Sequence, residues 1–150
     1  MDFIKETPNN IDQLVKEAGN KNDWERRLSA VNELGKYDCT QSRDVLTRIA
    51  LHDKVYKVKE TAFRYAQGLG IQKKGQPLRL GRKDTGYNPR DFSKIFSRIK
   101  REAHLEELNL EVFKEKFKII NPEMYDVMHY EKKEKFDIWI NEVYTNLPQK

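Results

Sequence analysis

Asp23-Trp24-Glu25-Arg26-Arg27-Leu28-Ser29-Ala30-Val31-Asn32-Glu33-Leu34-Gly35 is the stretch on which the fold turns. Its apolar residues, Trp24, Leu28, Val31 and Leu34, recur at intervals of three and four, which places them on one side of a 3.6-residue helix. Asp23 stands where an N-cap is expected, and Gly35 where a left-handed residue would release the chain from the helix. The same spacing continues outward on both sides. Residues 10–19 carry Ile11, Leu14, Val15 and Ala18 and end at Gly19. Residues 41–52 carry Val45, Leu46, Ile49 and Ala50, and residues 54–69 carry Val55, Val58, Ala62, Tyr65, Ala66 and Leu69. The segments at 23–35 and 54–69 also align with each other at an offset of 32 residues. Trp24 falls on Tyr56, Arg27 on Lys59, Ala30 on Ala62 and Val31 on Phe63. An alanine at such a position permits close helix approach, and the basic residue before it can bridge to the loop of a neighbouring repeat.

The 23–35 helix resembles the first helix of a HEAT repeat, and residues 41–52 resemble its second. Asp53 through Val58-Lys59 and Ala62 resembles the opening of the next repeat, with Lys59 where the family usually has Arg. The resemblance covers about residues 10–70. It implies a short array of stacked helical pairs acting as a scaffold for partners, usually proteins and sometimes nucleic acid, with no chemistry of its own. The signature residues, Trp24, Arg27, Ala30, Asp53, Lys59 and Ala62, are structural on this reading. Asp53 is expected to cap a helix rather than act as an acid. The enzymes of this family, the HEAT-like alkylpurine DNA glycosylases, are distinctly longer and have several complete repeats. That reading is the third and weakest.

The helical pattern stops between Gly70 and Arg90, a stretch holding four glycines and two prolines. Some twenty residues of this kind read as a functional loop or linker, with a hairpin around Pro77-Leu78-Arg79-Leu80 left open. Helical spacing then resumes. Asp91 is expected to cap a helix bearing Phe92, Ile95, Phe96, Ile99 and Ala103, and Asn109 the next, with Leu110, Phe113, Phe117 and Ile120. Asn121-Pro122 opens a shorter one, with Met124, Val127 and Met128. The last, about 131–146, carries the stripe Phe136, Trp139, Ile140, Val143, Tyr144 and Leu147. The fold class expected is therefore all-α: HEAT-like repeats over 1–70, a basic Gly/Pro-containing insert over 71–90, and a helical segment over 91–150 that caps the repeats.

The 150-residue chain has 37% hydrophobic residues and a formal net charge of +5. Sixteen aromatic residues compensate for the modest apolar share and make a packed core feasible. The charge is unevenly spread. Residues 1–71 carry +1, residues 72–101 carry +8 and residues 102–150 carry −4. Lys73, Lys74, Arg79, Arg82, Lys83, Arg90, Lys94, Arg98 and Arg101 are accordingly the candidate partner- or phosphate-binding residues. Lys94, Arg98 and Arg101 share one helix face, and Tyr87 could stack on a base beside it. The competing reading pairs this face with the acidic C-terminal residues, Glu102, Glu106, Glu107 and Glu111, then Glu131, Glu134 and Asp137.

Other chemistry finds little footing. Cys39 is the single cysteine, so no internal disulfide forms, and a reducing, cytoplasmic setting is expected. Residues 1–6 do not read as a secretory signal, and no apolar run approaches the ~20 residues of a membrane span. His52, His104 and His129 have no second ligand at metal-binding spacing, and no phosphate-binding glycine motif occurs. No metal, cofactor or catalytic residue is expected. The leading expectation is a non-catalytic interaction module that binds a protein through residues 72–101. The alternative is a nucleic-acid-binding protein using the same surface.

Overall fold

The computed structural model describes residues 2–148. The fold is all-α apart from one two-stranded hairpin among the described residues. The chain divides between Asp84 and Thr85 into two compact units, a boundary that falls inside the stretch expected as an insert. None of the helices is long and apolar enough to cross a membrane among the described residues.

The first unit contains α1 (Ile11–Ala18), α2 (Trp24–Leu34), α3 (Thr40–His52), α4 (Tyr56–Gly68) and the hairpin β1 (Gln72–Lys73)–β2 (Gln76–Pro77). Consecutive helices pair, α1 with α2 and α3 with α4. The pairs are joined by α2 on α4 and α1 on α3. Asp23 caps α2 by accepting from the backbone N–H groups of Glu25 and Arg26. The core is aliphatic and narrow, with Leu14, Val31, Leu34, Leu46, Val55 and Val58 buried beside five alanines, Ala18, Ala30, Ala50, Ala62 and Ala66. Alanine at these places lets helix axes approach closely, because interaxial distance is set by the side chains at the contact.

Gly19 and Gly35 do end helices, but not in the expected left-handed conformation: their φ angles are −94° and −65°. The reason at Gly35 is space. A Cβ there would lie 2.4 Å from the Tyr65 ring, so glycine admits α4 against the end of α2. Tyr65 completes the contact by donating its hydroxyl to Asn32 Oδ1 at 3.0 Å. The left-handed residue is Gly70, φ +68°. There the Ile71 N–H bonds to the Ala66 carbonyl and the Gly70 N–H to that of Gln67, the two bonds of a Schellman ending. The hairpin follows at 72–77, earlier than the 77–80 position left open above. Its turn residues, Lys74 and Gly75, both have positive φ (53° and 76°), the requirement of a tight type I′ turn. Ahead of α1, Ile4 makes a parallel bridge with Tyr37, bonding to both the Lys36 carbonyl and the Asp38 N–H at 2.8 Å.

The second unit contains α5 (Pro89–Glu102), α6 (Leu110–Ile120), α7 (Pro122–Lys132), a 3-10 turn (Lys133–Lys135) and α8 (Phe136–Thr145). Three asparagines, Asn88, Asn109 and Asn121, cap the first three helices. The expectation for Asp91 is corrected here. It is the third helical residue, its carboxylate accepting from the Asn88 N–H while Asn88 accepts from its N–H, a reciprocal capping box. Pro89 at the first helical position explains the earlier start. The last helix also starts later than expected, because Lys133 adopts φ 52° and breaks the run from α7.

The core of this unit is built from rings. Phe96, fully buried, meets Phe113 at 4.7 Å and Phe117 and Trp139 at 5.4 Å, all edge-to-face. Edge-to-face contact sets the positive rim of one ring against the negative face of the next. Phe136 extends the cluster to Tyr125 at 5.1 Å, and Met124 and Met128 are buried beside Val127.

Candidate interaction surface

The basic residues singled out from the sequence are divided between the two units. Lys73, Lys74, Arg79, Arg82 and Lys83 belong to the first unit, and Arg90, Lys94, Arg98 and Arg101 to the second.

In the first unit Lys74 is committed to the hairpin turn. The Lys83 ammonium lies 5.0 Å above the Tyr56 ring, and Arg79 and Arg82 are exposed. Lys73 borders a cleft of about 550 Å³ whose other basic side chains, Arg43, Arg48 and His52, come from α3. Arg43 is already bound bidentately by Asp38, at 2.6 and 3.1 Å, which holds the Asp38 carboxyl below its ordinary range.

The signature residues occupy structural positions. Arg27 donates from Nε and Nη2 to the two carboxylate oxygens of Asp53, at 2.9 and 3.2 Å, and from Nη1 to the Asn20 carbonyl at 2.9 Å. Both side chains are more than nine-tenths buried. Asp53 also accepts from the Val55 N–H at 2.8 Å, which shapes the entry to α4. The buried carboxylate thus has its charge compensated by a guanidinium fork and accepts a backbone amide as well. Ala30 and Ala62 are buried and Trp24 is half-buried. Lys59, 32 residues after Arg27, does not repeat its contact: its ammonium reaches Gly81, 3.1 Å from where a Cβ would stand.

In the second unit the basic residues converge. Phe96 and Ile99 are fully buried, so the opposite face of α5 is turned to solvent. Arg90, Lys94, Arg98 and Arg101 line one groove of about 1290 Å³. Ser93, Ser97 and Lys100 join them on α5, and Leu105, Leu147 and Pro148 add an apolar end. Sequence reasoning missed these last residues. The signal for Ser97 was present, since Arg90, Lys94, Ser97 and Arg101 follow a 4-3-4 spacing along one helix row. Two residues of the apolar end, Leu147 and Pro148, lie more than forty positions beyond α5 in the chain, which local periodicity does not reveal.

His104 places Leu105. The helix ends in a second Schellman arrangement, with the Leu105 N–H bonded to the Lys100 carbonyl and the His104 N–H to that of Arg101. Its left-handed residue is His104, φ 54°, rather than glycine. The Tyr144 hydroxyl donates to the Leu105 carbonyl at 3.5 Å and ties this corner to α8, while burial raises the Tyr144 pKa.

Of the acidic C-terminal residues, Glu106 lines the same groove beside the cations. Arg98 binds Glu102, 2.6 Å away on the same helix, and that hydrogen bond holds the Glu102 carboxyl below its ordinary range. Lys100 lies 5.4 Å over the Tyr144 ring. Asp137 pairs with Lys114 instead. Among the described residues Arg90, Lys94 and Arg101 have no salt bridge. Tyr87 is engaged with the Phe92 ring at 6.1 Å, so the aromatic proposed for base stacking is occupied within the unit.

Among the described residues no group of three or more His, Cys, Asp or Glu side chains could hold a metal ion. Compared with known protein families, characterised proteins and solved structures, the chain matches none.

Proposed function

We propose that this chain is a non-catalytic helical interaction module that binds an acidic protein partner through the exposed face of α5. The observation that carries the reading is the composition of the α5 groove, where Arg90, Lys94, Arg98 and Arg101 stand beside Leu105, Leu147 and Pro148. Cations alone would suit a nucleic-acid backbone. Cations with an apolar end suit a polypeptide that offers both carboxylates and an apolar side chain. The engagement of Tyr87 with Phe92 weighs in the same direction.

The first unit supports a HEAT-like scaffold in this reading. Segments that align at an offset of 32 residues, α2 and α4, lie against each other, and the Arg27–Asp53 pair links α2 to the loop before α4. The single half-buried Cys39 fits a reducing, cytoplasmic setting.

Fluorescence anisotropy with labelled poly-glutamate, single- and double-stranded DNA, and RNA over a salt series tests the assignment. Poly-glutamate should bind at low salt and weaken as salt screens the contacts. Lys94→Glu with Arg101→Glu should abolish that binding. Preferential binding of nucleic acid, with a steep salt slope, would transfer the surface to the alternative reading.

A further inference from the structure

The helix that carries the cations of α5 is fixed before any partner arrives. The capping box fixes its start, the Schellman ending fixes its end, and fully buried Phe96 and Ile99 hold its inner face in the ring cluster. Preorganisation of this kind removes part of the ordering cost of binding. The row itself, Arg90, Lys94, Ser97 and Arg101, spans three helical turns, about 16 Å at 1.5 Å per residue. Arg98 flanks it one turn from Lys94 and from Arg101.

A ladder of donors with the pitch of a helix is matched best by another helix. Carboxylates repeated at i, i+4, i+7 and i+11 climb by the same rise per residue and stay in register along the row. In an extended strand, alternate side chains are about 6.7 Å apart, so three intervals cover about 20 Å and the last pair falls out of step by about 4 Å. The groove is lined along α5 by small side chains as well as by cations. Ser93 and Ser97 are one turn apart on its lining, and their small side chains let a second helix axis come near.

We propose that the α5 groove seats an amphipathic helix of a partner protein. The helix carries carboxylates at one-turn spacing toward Arg90, Lys94, the Ser97 hydroxyl and Arg101, and an apolar side chain toward Leu105 and Leu147. This rests on the reading of α5 as a protein-docking surface and adds the conformation and side-chain pattern of the partner. It is the helix-in-groove mode of recognition, with charge setting the register and the apolar end setting the direction.

The test uses the full chain and labelled peptides of about 16 residues, long enough for the three turns. One peptide is helix-favouring, with Glu at i, i+4, i+7 and i+11 and Leu beyond the last. A second has the same composition with the Glu residues spread around the helix. A third repeats the first with a central Pro. The first should bind at least about tenfold more tightly than the other two, the sum of a few partly screened ion pairs. Lys94→Glu with Arg101→Glu should erase that preference, and a peptide that keeps Glu at i but carries Lys at i+4 and i+11 should bind the doubly substituted chain in return. The reciprocal rescue shows that the variant is folded. Equal binding of all three acidic peptides would overturn the helical partner while leaving the acidic-partner reading in place. No binding of any acidic peptide at low salt would overturn both. Self-association of the chain alone, abolished by the same double substitution, would assign the groove to a second copy and overturn the proposal.

Discussion

The two units solve helix packing in opposite ways. The first brings helices close, with alanines at the contacts, a glycine where the Tyr65 ring passes, and a buried Arg27–Asp53 pair holding α2 to the α4 entry. The second holds helices apart with rings, and Phe96, Phe113, Phe117, Phe136 and Trp139 fill the space. The first strategy distributes stability over many small contacts and one polar link. The second concentrates it in a few large side chains. The difference teaches where each unit is vulnerable, and each carries its own reporter, Trp24 in the first and Trp139 in the second.

The largest effect is expected at the hub of the rings. Phe96→Ala should destabilise the second unit by about 3–5 kcal/mol, the range for truncating a buried phenylalanine. Denaturation followed in single-Trp variants should show the Trp139 transition shifted and the Trp24 transition unmoved. A common shift in both would mean that the units unfold as one.

The buried ion pair comes next. Arg27→Met alone should cost about 3 kcal/mol, because Asp53 is left charged and buried. The double variant Arg27→Met with Asp53→Leu should recover a large part of this, since an apolar pair replaces a desolvated one. Additive losses in the double-mutant cycle would show that the pair is not coupled as the geometry requires.

The smallest effect is expected at the end of α5. His104 occupies a left-handed position that glycine adopts without cost, so His104→Gly should raise the stability of the second unit by about 1 kcal/mol. A measurable loss by thermal unfolding would mean that the imidazole makes a contact worth more than the strain it accepts.

Much of the architecture was legible because helical periodicity is a local signal. The stripes at 10–19, 23–35, 41–52 and 54–69 became α1 to α4, and Asn109 and Asn121 capped helices as their sequence context indicates. The same Asn-Pro pair at Asn88-Pro89 opens α5, although Asp91 looked the better cap from its apolar followers. Positive φ was the hardest feature to read. Lys74, His104 and Lys133 adopt it without the glycine that would advertise it, and each marks a turn or break that composition hides. The candidate surface was half legible. Its cations stood out as a charge run, but that run straddles the boundary at Asp84 and Thr85, and the apolar end of the groove arrives only through tertiary packing.

That boundary redistributes the charge of the molecule. Residues 1–84 hold 17 basic and 12 acidic side chains, whereas residues 85–150 hold 12 of each. The unit that presents the cation row is therefore electrically neutral as a body, with positive charge gathered on α5 and negative charge predominating in its remaining sequence. Such a body acts on its surroundings as a dipole. It turns α5 toward an anionic surface and should be held on a negatively charged matrix at a pH where it has no net charge at all.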